Sequence, residues 1–132
     1  MPYLLDTNVV IRHLNGDLDV QALVKNLTSD GIAVSTVTLM EVWQAVHSAT
    51  NPQALEEEYQ EFFDAILVIP FDVVIAKRGA RMRHDLKQQS IRTRDRALDL
   101  QIAATALAHR LELVTYNAQD YDDITGLTLY QI

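Results

Sequence analysis

Five side chains carrying oxygen donors stand where a folded chain could use them: Asp6, Glu41, Asp99, Asn117 and Asp120. Asp6 directly follows the apolar run Tyr3-Leu4-Leu5, which places its carboxylate at the mouth of a predicted sheet. Asp99 leads an apolar stripe, since Ile102, Ala103 and Ala106 follow it at +3, +4 and +7 on one helical face. Burying an ionised carboxylate alone costs several kcal/mol, so Asp99 needs a counter-charge, a cap or a cation. Glu41 falls in a helix that begins just past a second apolar run, Ile32-Ala33-Val34. Asn117 and Asp120 come two and five residues after Thr115, at the end of Leu113-Val114-Thr115.

Taken singly, each has a structural use. Asp6 suits a helix N-cap. Asp99 suits a buried ion pair with a nearby arginine. Glu41, three residues after Thr38, has capping-box spacing, and Asn117 and Asp120 are turn formers. Taken together they are costly, because two carboxylates about 5 Å apart repel by roughly 3 kcal/mol at an effective dielectric near 20. A divalent cation offsets that repulsion. Oxygen-only ligands select hard ions such as Mg²⁺ or Mn²⁺, which activate water and neutralise charge on a phosphoryl group. The chemistry implied is phosphodiester hydrolysis.

Other chemistries lack their residues. The chain has no cysteine, hence no disulfide, thiolate zinc site or cysteine nucleophile. Gly16, Gly31, Gly79 and Gly126 are scattered, so no phosphate-cradling or dinucleotide loop can be written. His13, His47, His84 and His109 form no i, i+4 pair, and there is no Gly-x-Ser-x-Gly elbow.

The elements that must position the acids alternate. Short apolar strands at Tyr3–Leu5, Ile32–Val34, Leu67–Ile69 and Leu113–Thr115, with a candidate fifth at Leu127–Tyr130, are separated by amphipathic helices. The helices include one carrying Val20, Leu23, Val24 and Leu27, and one from about Leu39 to Ser48. Another is capped by Asn51-Pro52, with an inward stripe of Leu55, Tyr59, Phe62 and Ile66. A further helix presents Ile75, Gly79, Met82 and Leu86, and a long alanine-rich one runs from Arg94 to Leu111. This pattern predicts an α/β fold: a three-layer α/β/α sandwich around a mainly parallel sheet of four or five strands. Ligands in such folds gather beyond the carboxyl ends of the strands.

The 132 residues, 48% hydrophobic, fit one domain spanning 1–132. No apolar run approaches the twenty or so residues that span a bilayer, and no secretory leader is apparent, so a cytoplasmic setting is expected. Net charge is −7, yet the segment Lys77 to Arg96 carries eight basic side chains against Asp85 and Asp95. A basic segment on an acidic body can hold a phosphate backbone locally.

The motifs Leu4-Leu5-Asp6-Thr7-Asn8-Val9-Val10-Ile11, Ser35 to Val42 around Glu41, Asp99 to Ala106, and Leu113 to Tyr121 resemble, in order, the four acidic motifs of the PIN domain ribonucleases, in particular the VapC-type toxins of toxin–antitoxin pairs. The resemblance spans essentially the whole chain. It implies a Mg²⁺- or Mn²⁺-dependent endoribonuclease in which Asp6, Glu41 and Asp99 form the acidic pocket, with Asp6 and Asp99 as direct metal ligands. The family's fourth acidic position falls on Asn117, which keeps an oxygen donor but loses a charge that Asp120 could supply. The resemblance also implies an RNA substrate, a VapB-type antitoxin whose tail blocks the pocket, and a homodimer. From the residues, Glu41 is a candidate proton acceptor, Thr7 and Thr115 could tether waters or phosphate, and the Lys77–Arg96 segment is expected to contact RNA backbone. Two alternatives come from other classes. One is a non-catalytic PIN-like RNA- or protein-binding module. The other is a phosphoaspartyl protein, against which Asn8 stands where a second aspartate is needed.

Overall fold

A computed structural model describes residues 2–132. Four strands, β1 (Tyr3–Leu5), β2 (Ile32–Ser35), β3 (Leu67–Ile69) and β4 (Glu112–Val114), form one parallel sheet in the order β3-β2-β1-β4. The helices are α1 (Thr7–Leu14), α2 (Leu18–Thr28), α3 (Thr36–His47), α4 (Pro52–Asp64), α5 (Val73–Gln88) and α6 (Ala97–His109).

Alternate strand residues point to opposite faces, and the sheet accordingly feeds two cores. Leu4, Ala33 and Leu113 pack with α5 and α6 residues such as Ile75, Met82, Leu100 and Ile102. Their neighbours Leu5, Val34 and Val114 pack with Val9, Val24, Val42 and Tyr59 of α1 to α4. The three-layer sandwich read from the sequence is therefore present. β1, β2 and β4 are apolar at consecutive positions because both their faces are covered, whereas β3, at the sheet edge, leaves Leu67 exposed. Gly79 sits where α5 crosses α6; a Cβ there would lie 3.5 Å from that of Ala104, an ordinary van der Waals contact, so the crossing has room for one methyl group.

Several boundaries differ from the sequence reading. The expected fifth strand is a single bridge, Leu113 to Leu129, held by Leu113 N–H donating to the Thr128 carbonyl and Tyr130 N–H donating to that of Leu113. The predicted Arg94–Leu111 helix divides into a 3₁₀ turn, Arg94–Arg96, and α6. Helix α3 starts at Thr36, three residues early, because Ser35 and not Thr38 caps it: the Ser35 hydroxyl accepts from the Thr38 N–H. In α4 the buried residues are Tyr59 and Phe63, while Ile66 lies beyond the helix end. No helix among the described residues is long and apolar enough to cross a membrane.

The sheet order carries the functional consequence. From β1 the chain proceeds outward to β2 and β3 on one side, then returns to place β4 on the other. Strand order thus reverses between β1 and β4, the kind of crevice in which open α/β sheets bind ligands. Asp6 and Thr115 are the residues that follow those two strands.

Candidate active site

Asp6 extends β1 by one residue and is almost fully buried. Its backbone N–H donates to the Val114 carbonyl, so β4 fixes its main chain. Its side chain is held on both oxygens. Oδ1 accepts the Thr7 N–H at 2.8 Å, and Oδ2 accepts the Thr115 hydroxyl at 2.8 Å and the Asn8 amide at 3.2 Å. The N-cap role and the site role are one placement: capping α1 aims the carboxylate into the crevice. Asn8 ties the two strands further, donating also to Thr115 Oγ1 and accepting from the Tyr116 N–H.

Glu41 arrives from α3. The capping-box reading is overturned, since Glu41 lies in the second turn of a helix that starts at Thr36. Its Oε1 instead accepts the Thr7 hydroxyl at 2.7 Å, and that hydroxyl lies 3.0 Å from the Thr38 hydroxyl, which is within reach of Ser35. Thr7 and Thr115, expected to tether water or phosphate, are thus spent on the carboxylates of Glu41 and Asp6.

Asp99, in the first turn of α6, is half-buried and accepts one protein hydrogen bond, from the Tyr121 hydroxyl at 3.3 Å. The ion pair anticipated for it goes elsewhere. Arg96 clamps Asp123 through two 2.8 Å contacts and donates also to the Asp120 carbonyl. The other ion pairs among the described residues, Arg12–Asp17 and Arg81–Asp85, also leave Asp6, Glu41 and Asp99 without a cationic partner.

Electrostatics shows the three acids to be neighbours. Burial pushes the Asp6 carboxyl above its ordinary range against the lowering effect of its Thr115 and Thr7 bonds, and Asp99 adds to the rise. Burial also raises Glu41, with Asp6 and Asp99 contributing. Asp99 is raised by burial and by Asp120, and lowered by Tyr121 and Arg96. Three neighbouring carboxylates with no ion-pair partner of their own among the described residues are a fitting test for a cation. The donor set is all oxygen, as a hard ion requires. Among the described residues no three Asp, Glu or His side chains form a ready cage for a metal. An ion such as Mg²⁺ commonly takes one or two carboxylates and keeps several waters.

Asn117 and Asp120 sit on the β4 side of the rim. Both are exposed, and the turn is built on the main chain: Asn117 N–H donates to the Thr115 hydroxyl and Asp120 N–H to the Asn117 carbonyl. Asp120 is close enough to Asp99 to raise it. The residues that sequence reasoning passed over are Asn8 and Tyr121. An asparagine after a capping aspartate reads as a turn, and a tyrosine reads as core.

Glu41 and Asp99 open into a cleft of ≈ 360 Å³ lined also by Arg94, Asp95, Arg96, Ala97 and Leu98. Arg94 is exposed there, and so are Lys77, Arg81, Arg83, Lys87 and Arg92 on their own segments. Arg96 is only partly exposed and already committed to Asp123. A larger open concavity, ≈ 700 Å³, follows the outer side of α4 past Glu56, Glu57, Glu61 and Asp64. It is a solvated helix face that none of the candidate residues lines.

Comparisons with known proteins agree with this geometry. The family model of the PIN domain matches residues 3–127. The chain is 28% identical to "Ribonuclease VapC2" of Rickettsia felis, over 98% of its own length and 96% of the relative's. It is 25% identical to the "tRNA(fMet)-specific endonuclease VapC" of Shigella flexneri, over 96% and 95%. Among solved structures, that of VapBC2 from Rickettsia felis bound to a DNA fragment from its promoter superposes with a TM-score of 0.88, covering 98% of each chain at 24% identity. At that identity the superposition speaks to the fold.

Proposed function

Because the chain belongs to the PIN domain family, we propose that it is a divalent-metal-dependent endoribonuclease and the toxin of a VapBC-type toxin–antitoxin pair. One observation carries the reading: Asp6, Glu41 and Asp99 converge at the strand-order reversal, and among the described residues no cationic side chain is paired with any of them. The names of the two curated relatives, a ribonuclease and a tRNA endonuclease, support RNA as the substrate.

Asp6 and Asp99 would hold Mg²⁺ or Mn²⁺, with Asp120 or the Asn117 amide reaching it from the β4 side. When bound, such an ion lowers the pKa of water and offsets charge on the phosphoryl group being transferred. The remaining work belongs to the protein. Thr7, Thr115 and Asn8 keep the two innermost carboxylates in one orientation each, so that no reorganisation is needed when substrate arrives. Glu41 takes the proton of the attacking water on Oε2, the oxygen that receives no protein donor, and its raised proton affinity suits that task. Arg94 meets the scissile strand's phosphates at the cleft. Single-stranded or looped RNA fits, because its bases and backbone can splay into a pocket.

The test is cleavage of a mixed single-stranded RNA pool by purified protein with Mg²⁺ or Mn²⁺, with chelator as control. Chelator-sensitive cutting that is lost in Asp6→Asn and in Asp99→Asn is the expected result. Cutting at the parental rate by either variant overturns the site, and RNA binding without cutting by the parent makes the chain a non-catalytic module. Co-expression with the small protein encoded beside it should restore growth that the chain alone arrests.

A further inference from the structure

Asp6 and Asp99 are held very unequally. Asp6 takes three hydrogen bonds divided over both oxygens, whereas Asp99 takes one, from Tyr121. Tyr121 is 1% exposed. Its ring is packed in the core beneath α6, among residues that include Leu100, Ile102 and Ala103. Its backbone is pinned by its own N–H donating to the Ala118 carbonyl and by the Ile124 N–H donating back to it. The hydroxyl therefore emerges from a rigid apolar socket at the rim, bonded to Asp99 and close to Asp6.

We infer that Tyr121 is a positioning residue for the metal centre: its hydroxyl fixes Asp99 relative to Asp6, so that the pair is shaped for an ion before the ion arrives. The inference rests on the metal-dependent reading above. The chemistry suits a tyrosine. A cationic side chain at this place would compete with the metal for both carboxylates. A phenol supplies one neutral donor, engages a single oxygen of Asp99 and leaves the other for the cation. An ordinary phenol, with a pKa of about 10, is neutral near neutral pH and so remains a donor there. The other candidate orienter, Arg96, is spent on Asp123.

Tyr121→Phe removes the hydroxyl and keeps the ring, so the core packing is retained. Titration calorimetry of the RNA-free protein with Mn²⁺ reads the effect directly. The variant should bind about 10- to 100-fold more weakly, the usual consequence of losing an outer partner of a ligand. At saturating Mn²⁺ its kcat should recover toward the parental value, which loss of a reacting group would not permit. In an Asp99→Asn background the same substitution should change Mn²⁺ affinity by less than about twofold, since the group it orients has already been altered. Parental affinity in Tyr121→Phe, or an undiminished effect in the Asp99→Asn background, overturns the assignment while leaving the nuclease reading intact. No Mn²⁺ binding by the parent overturns both.

Discussion

The two walls of the crevice are built differently. On the β1–β4 wall, buried Asp6, Thr7 and Thr115 and half-buried Asn8 form a mutually bonded set. On the α6 wall, Asp99 has a single long bond, and its neighbours Arg94, Asp95 and Leu98 face solvent. The first wall is fixed by strand pairing and helix capping, so it cannot shift without unfolding the sheet. The second hangs on a 3₁₀ turn and one tyrosine. A nuclease gains from that division: one carboxylate is rigid and defines the site, while the other borders the opening through which a polymer enters.

Charge removal should break the comparison most completely. Asp6→Asn and Asp99→Asn are both expected to abolish detectable RNA cleavage in Mg²⁺, since each removes a charge that would hold the proposed ion. The walls then separate on stability. Asparagine caps a helix about as well as aspartate, so a thermal melt of Asp6→Asn should show a folded protein. Asp99→Asn should be at least as stable as the parent when metal is removed, because it deletes a repelled charge.

Next in size is Thr115→Val, which leaves Asp6 Oδ2 with one donor and orphans the Asn117 N–H. A loss of about 1–3 kcal/mol in denaturant unfolding is expected, with weaker Mn²⁺ binding. An unchanged midpoint would show the first wall to be less coupled than its bonds indicate.

Arginine substitutions then distinguish the two cations of the second wall. Arg94→Glu should reduce the slope of log K against log salt for RNA binding by about one for each phosphate that the side chain no longer neutralises, and it should leave the melt unchanged. Arg96→Ala should do the reverse, costing about 1–2 kcal/mol through the Asp123 and Asp120 bonds. Reversing Arg92, Arg94 and Arg96 together confounds these effects.

The smallest effect is on pH dependence. The folded-state carboxyls of Asp6, Glu41 and Asp99 are raised, so the folded, metal-free protein binds more protons than the unfolded chain above the ordinary carboxyl range. Its stability should therefore rise as pH is lowered from neutral toward that range. Below it, Asp123 and Asp17, whose carboxyls are lowered, take up protons and reverse the trend. Asp99→Asn should flatten the rising limb in melts across pH. A limb that persists undiminished places its origin elsewhere.

The first wall was far more legible in the sequence than the second. Asp6 follows an apolar run directly, so its place at a strand end is readable, whereas Thr115 reads as part of the fourth strand and its bond to Asp6 does not show in the sequence. Glu41 was found, but its supposed cap was wrong. Ser35, Thr36 and Thr38 are all competent caps, and the choice among them is made by where β2 stops pairing with β3, at Ser35 opposite Ile69. The fifth strand failed for a related reason. Leu127–Tyr130 has strand-like residues, but it meets β4 only around Leu113, and pairing is a property of the partner as much as of the segment. Tyr121 was invisible because apolar patterning reports that a ring is buried and says nothing of where its hydroxyl ends. Arg96 looked like part of a nucleic-acid track because charge counts cannot see that Asp123, 27 residues on, claims it.

Thr115 lies 109 residues beyond Asp6 in the chain, yet it supplies one of the bonds that orients it. The scaffold of the pocket is therefore synthesised after the acids it aligns. A chain made only through α6 carries all three acids but lacks β4, Asn8's partner Thr115 and Tyr121. The pocket is completed by the last strand to be made, when β4 pairs beside β1.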